Sequence, residues 1–197
     1  MRRPPPPPPQ SPPLRPPPPR VTVRRATGQD LEAVVALRVA LLREYPDHPI
    51  YGRLRANAEQ LARPVFAAQL DAGNETMFLA VMNAEPIGII RCVETAASPL
   101  LSPDRYCYVS SAFVRPEHRR HGVLRALFDR AAEWCRERGL TEMRLHNVGT
   151  SAAAASAWDS LEFEVVEQVR MRLIPPARPA MDSRAADTAD TTPRALL

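Results

Sequence analysis

Tyr106–Leu127, YCYVSSAFVRPEHRRHGVLRAL, is the stretch on which the fold turns. Tyr106 to Val114 is rich in β-branched and aromatic residues. Pro116 ends the run, because proline offers no ladder donor and biases its predecessor away from helix. A strand is therefore expected to finish near Val114. Beyond it, Val123, Leu124, Leu127, Phe128, Ala131, Trp134 and Cys135 recur at steps of three and four, which predicts an amphipathic helix with one buried face. Gly139 is placed to close that helix as its C′ residue. At the junction stand Arg119, Arg120, His121 and Gly122. Unpaired N–H groups in a helix's first turn, reinforced by its dipole, attract anions, and a glycine lets a phosphate approach the backbone. Arginine side chains can add charge-assisted bonds to the same oxygens. The residues fit a phosphate cradle; they also fit a solvated basic turn that merely ends a strand.

Upstream, Met77–Met82 and Ile87–Val93 are short apolar runs around Asn83-Ala84-Glu85-Pro86, a hairpin signal. Val21–Arg25 reads as a first strand. Thr27 to Asp30 resembles a capping box with Asp in place of Glu, and opens a helix running to about Glu44. Pro46-Asp47-His48-Pro49 breaks it. A second helical region spans roughly Ala56–Ala72, kinked or divided at Pro64. Downstream, Glu142–Asn147 alternates as a half-buried strand does, and Ala152–Leu161 reads as an alanine-rich helix. Phe163–Val166 and Val169–Leu173 are expected to form a final strand pair.

The 197 residues have room for one core, and 45% apolar residues can fill it. Residues 1–20 hold 12 of the 23 prolines, and residues 175–197 are Pro-, Ala-, Asp- and Thr-rich without periodicity. Neither end can bury enough surface to offset ordering, so a disordered arm (1–20) and tail (175–197) flank one domain, 21–174. The net charge of +4 equals Arg2, Arg3, Arg15 and Arg20 of the arm, leaving the remainder formally neutral and giving no argument for nucleic-acid binding by the fold. Lysine is absent while arginine, alanine and proline abound, as a GC-rich coding sequence tends to produce. Val21 is accordingly expected to mark a GTG start, with the arm an over-extended reading frame. Cys92, Cys107 and Cys135 lack metal or CxxC spacing and read as reduced thiols of a cytoplasmic protein. The N-terminus has no apolar h-region and no run approaches 18 apolar residues, so neither a signal peptide nor a membrane span is expected.

Val114 to Leu127 resembles the acyl-CoA signature of the GNAT superfamily of N-acyltransferases, V-x-P-x-x-R-G-x-G-x-G/A-x-x-L, whose Arg/Gln-x-x-Gly-x-Gly/Ala core falls on Arg119, Gly122 and Leu124. Leu124 stands where the family prefers glycine or alanine. The element order β-α-α-β-β-β-α-β-α-β-β over residues 21–174 is also that family's. The resemblance implies an α/β fold with a mixed, mostly antiparallel sheet of six to seven strands and about four helices. That sheet is splayed between its fourth and fifth strands, here Tyr106–Val114 and Glu142–Asn147. It implies an N-acetyltransferase using acetyl-CoA and no metal, by direct attack of an acceptor amine on the thioester. The cofactor residues it implies are Ala112, Phe113, Val114, Arg119, Arg120, His121, Gly122, Val123 and Leu124. Backbone of the first three would pair with the pantetheine arm, and the first-turn groups of the rest would hold the pyrophosphate.

Other family positions carry unexpected residues. Where relatives carry a thiolate-protonating tyrosine in N-x-x-A-x-x-x-Y-x-x-x-G-F, this chain has Ser151, Ala154, Trp158, Glu162 and Phe163. Trp158 is a donor only and cannot be that acid. Glu162 replaces a glycine where a left-handed backbone is usual, at a cost of about 1–2 kcal/mol. The carboxylate many relatives carry on the fourth strand falls on Ser110 and Ser111; Glu94, His146 and Asp159 are conceivable substitutes, and the catalytic base is left unassigned. The acceptor, a small-molecule or peptide amine, is expected near Pro46–Arg55 and Ala96–Arg105, where Glu44, Asp47 and Tyr51 can face a cation. Neither nucleic acid nor membrane is an expected partner, and the protein is expected to be a monomer or homodimer. Two rivals stand beside this reading: a non-catalytic acyl-CoA binder, and an interaction protein acting through its proline-rich arm.

Overall fold

The computed structural model describes residues 20–148 and 151–174. The tail, and the arm except Arg20, lie outside the described residues. Five strands form one sheet: β1 (Thr22–Arg25), β2 (Glu75–Met82), β3 (Glu85–Ala96), β4 (Arg105–Val114) and β5 (Met143–Leu145). They lie side by side in chain order, antiparallel except for the parallel β4–β5 pair. Four helices flank them: α1 (Leu31–Arg43), α2 (Ala58–Leu70), α3 (Val123–Glu137) and α4 (Ala152–Asp159).

Alternation along the strands divides the interior into two layers. Met77, Leu79, Ile89 and Phe113 meet Val34, Val35, Leu37 and Val39 of α1 and Phe66 of α2 on one face. Phe78, Ile87, Ile90, Cys92, Cys107 and Val109 meet Leu127, Ala131, Trp134 and Cys135 of α3 on the other. Each large apolar side chain so buried stabilises the fold by about 1.5–3 kcal/mol. The expected capping box is present: the Thr27 N–H donates to Asp30 Oδ2 at 2.9 Å. Arg24 clamps the same carboxylate with two bonds of 2.7 and 2.8 Å, and that clamp holds the Asp30 carboxyl down at about 2. Gly139, at φ +69°, ends α3 with Leu140 N–H donating to Cys135 O, as its C′ position predicts. The helix around Pro64 is a single one of 13 residues.

The hairpin signal is correct, but its strands are longer than the apolar runs. Asn83 and Ala84 make the turn with φ of +50° and +66°, the pair of positive values that matches the sheet's twist. Two expectations need correction. The sheet has five strands among the described residues rather than six to seven. Among the described residues Phe163–Val166 and Val169–Leu173 pair with no strand, and Val165, Val166, Val169 and Leu173 stand exposed. The physical reason lies in β5, which spans three residues, not Glu142–Asn147, and so offers too short an edge for further ladders.

Cys92, Cys107 and Cys135 are buried free thiols on the α3 side. A bond with Cys135 favours the Cys107 thiolate, but contact with Cys92 and burial outweigh it and push that thiol up to about 12. Among the described residues no helix is long and apolar enough to cross a membrane, and no three His, Cys, Asp or Glu side chains gather as metal ligands.

Candidate functional site

The sheet splits where β5 ends. β4 and β5 pair only from Cys107 to Val109, and the Cys107 N–H donates to Glu142 O at 2.9 Å. β4 continues to Val114 with β3 on one side and, among the described residues, no strand on the other, so the backbone of Ser110–Val114 faces an open edge. An irregularity sits at the start of that edge. The register against β3 shifts between Ile89 and Arg91, and buried Ser111 adopts φ +52°. A bulge of this kind re-aims the amides beside it. Its carrier is a serine, so nothing in composition announced it.

At the far end of β4 the chain passes through a short 3-10 turn, Pro116–His118, into α3. Arg120 and Gly122 both lie in the left-handed region, at φ +63° and +77°. Among the described residues the backbone N–H groups of 120–125 find no acceptor, so a row of donors opens the helix. A Cβ built on Gly122 would meet nothing within 4 Å, which leaves room directly above the turn. Arg120 and His121 are exposed beside it. Leu124 is turned inward with Ala112 and Leu145 against the α3-side core, so its bulk does not stand over Gly122.

Arg119 behaves differently from its neighbours. Its Nε donates to Val114 O at 2.8 Å, its guanidinium pairs with Glu44, and its backbone N–H donates to Pro116 O. It also lies over the Phe113 ring, 5.6 Å from the centroid. The residue ties the end of α1 to the end of β4. Glu44 is consequently spoken for, and does not face an acceptor amine.

The α1 face of the splayed strands carries a polar cluster. Arg91 donates to Glu75 at 2.5 Å and to Ser110 Oγ at 3.2 Å, which occupies that buried carboxylate and makes Ser110 an acceptor rather than a base. Two residues before Ser110, the Tyr108 hydroxyl lies 3.1 Å from Nδ1 of His146, just beyond β5. Burial pushes the Tyr108 phenol up, so it holds its proton at neutral pH. Tyr51, from the loop after α1, stacks on His48 at 4.5 Å. Of the conceivable bases, His146 is at the cleft. Glu94 is not: it is bound by Arg105 and Arg138, which outweigh its burial and hold its carboxyl down. Asp159 is exposed at the end of α4.

Trp158 and Phe128 each meet Phe163 edge-on at 5.5 Å, so the tryptophan packs α4 onto α3. Ser151 caps α4 by accepting from the Ala154 N–H. Glu162 is in the left-handed region, φ +65°, as expected of a residue in a glycine's place.

Solved structures share this architecture. The aminoglycoside N-acetyltransferase AAC(6′)-Iy in complex with CoA superposes with a TM-score of 0.67 at 20% identity, over 82% of this chain and 99% of that one. A GCN5-related N-acetyltransferase from Ralstonia eutropha JMP134 gives 0.66 at 22% identity, over 78% and 98%. A predicted acetyltransferase from Clostridium acetobutylicum, solved with acetyl-CoA, gives 0.64 at 17% identity, over 78% and 96%. No curated protein sequence matches. Residues 37–163 match the family described as Acetyltransferase (GNAT) family, more than half of the chain. With that match and the sheet split between β4 and β5, this chain belongs to the GNAT acetyltransferase family.

Proposed function

We propose that the chain is an N-acetyltransferase that moves an acetyl group from acetyl-CoA to an acceptor amine. The observation that carries the reading is the run of unsatisfied N–H groups at residues 120–125, set at the mouth of the open β4 edge. In this reading the amides of Arg120, His121, Gly122, Val123 and Leu124 hold the pyrophosphate, with the Arg120 and His121 side chains beside them. Arg119 braces that turn through Val114 and Glu44. Ala112, Phe113 and Val114 offer a strand edge to the pantetheine arm, and an amide re-aimed by the Ser111 bulge polarises the thioester carbonyl. The neutral amine attacks that carbon, the C–S bond breaks, CoA departs as thiolate, and the proton shed by the acylated nitrogen ends on that sulfur. Tyr108, hydrogen-bonded to His146, is the proton-bearing group we assign to the cleft. The same geometry suits a binder without turnover, the reading that Trp158 favours by filling the acid's usual place with packing.

The test is calorimetric titration of acetyl-CoA into the full chain, with Gly122→Glu alongside. Saturable micromolar binding that the variant loses while keeping the parent's circular dichroism is the expected result, since a carboxylate there repels the phosphates; the position has room, and an L residue at φ +77° costs about 1–2 kcal/mol. No binding by folded parent protein refutes the assignment. Binding without CoA release on any amine leaves the non-catalytic reading.

A further inference from the structure

Arg38 lies on the wrong face of its helix for an ordinary surface arginine. It follows Val34 and Val35 by four and three residues, both of them fully buried, and so projects from the side of α1 that covers the sheet. Among the described residues its guanidinium has no salt bridge and no hydrogen bond, although eleven acid–base pairs form elsewhere. The groups that act on it are Tyr51, Arg91 and Tyr108; no carboxylate is among them, and burial disfavours its charge. The nearby acids are committed. Glu75 belongs to Arg91, Glu44 to Arg119, and Asp47 points into solvent from the loop. Arg38 also borders a groove of about 300 Å³ between α1 and α2, lined otherwise by Val39, Leu42, Leu61, Phe66 and similar apolar side chains. The one other charged group lining it is Arg55.

A half-buried arginine without a partner is costly unless an anion completes it. The geometry points to an acceptor that brings its own: we infer that the substrate is an amine carrying a carboxylate, with Arg38 as the residue that reads it. This inference rests on the acetyltransferase reading above and specifies its acceptor. The planar guanidinium matches a carboxylate by two parallel bonds.

The experiment measures acceptor binding to the full chain saturated with CoA, where no turnover intervenes. The protein amino acids are compared with their decarboxylated counterparts, leucine with 3-methylbutylamine and phenylalanine with phenethylamine among them, for parent, Arg38→Met and Arg38→Lys. At least one amino acid should bind about 10- to 100-fold more tightly than its counterpart, the range for a charge-assisted bond. Arg38→Met should abolish that ratio and Arg38→Lys restore part of it. Equal binding within every pair, a preference for the decarboxylated amines, or a preference that survives Arg38→Met overturns the inference. Acetyl-CoA binding measured on the same samples separates the two failures: a protein that binds acetyl-CoA yet shows no carboxylate preference refutes only the acceptor, whereas one that binds no acetyl-CoA refutes the enzyme and the acceptor with it.

Discussion

Replacing Glu162 with glycine should make the protein more stable. At φ +65° an L side chain is crowded against the following carbonyl, at a cost of about 1–2 kcal/mol. Glycine removes that term but has more freedom to lose on folding, which returns about 0.5–1 kcal/mol. The side chain contributes nothing in compensation. Glu162 is exposed, bonds to no neighbour among the described residues, and carries its negative charge at the negative end of α4. The backbone bonds that shape the turn, Glu162 N–H to Asp159 O at 3.0 Å and Phe163 N–H to Trp158 O at 3.1 Å, do not depend on it. The net gain is about 0.5–1 kcal/mol, or roughly 1–4 °C in Tm for a domain of this size. Urea and thermal unfolding followed by tryptophan fluorescence measure it, since Trp158 lies four residues upstream. Gly139→Ala is the mirror control: at φ +69° it should lose about 1 kcal/mol. If Glu162→Gly is no more stable than the parent while Gly139→Ala behaves as stated, the strain argument is wrong and the Glu162 side chain has a role of its own.

Gly88→Val should destabilise by about 1–3 kcal/mol in the same assay, because a Cβ there already meets Phe113 O at 3.0 Å and Leu127 Cδ1 at 3.2 Å; an unchanged midpoint would show that β4 and α3 can part without loss. The Asp30 carboxyl, held at about 2 by Arg24, should contribute about 1–2 kcal/mol that is fully present above pH ~4 and disappears as pH falls toward 2. The sign follows from the unfolded chain binding the proton first, and Asp30→Asn should flatten that part of the pH–stability curve.

What the chain disclosed before its structure follows from where each signal is stored. Helices α1 and α3 and the Asn83–Ala84 turn are written in short windows, as periodicity, caps and turn chemistry, and each is where those windows put it. The pairs missing from that reading join residues far apart. The Arg119–Glu44 pair could not be read from the sequence because its members are 75 residues apart. Arg38 does not stand out in the sequence at all, since nothing local shows that α1 covers Arg91 and Tyr108. Val169, Met171 and Leu173 alternate as a strand does, but a strand also needs an edge, and three-residue β5 supplies too little. The Ser111 bulge escaped for a different reason: its register shift depends on β3, and its positive φ falls on a residue that does not advertise one.

Strand order in space repeats strand order in the chain, and this has a consequence for how the protein comes to exist. β2, β3 and β4 are joined by a two-residue turn and by residues 97–104, so they can zip together early, through contacts close in sequence. β5 arrives only after the 15 residues of α3 have crossed the sheet, and it then has three residues with which to hold on. Contact order therefore predicts that one wall of the cleft forms early and that the other, held by three residues, forms late. A ligand that spans both walls acts as a late fastener, and gives the native protein kinetic persistence that its empty form lacks.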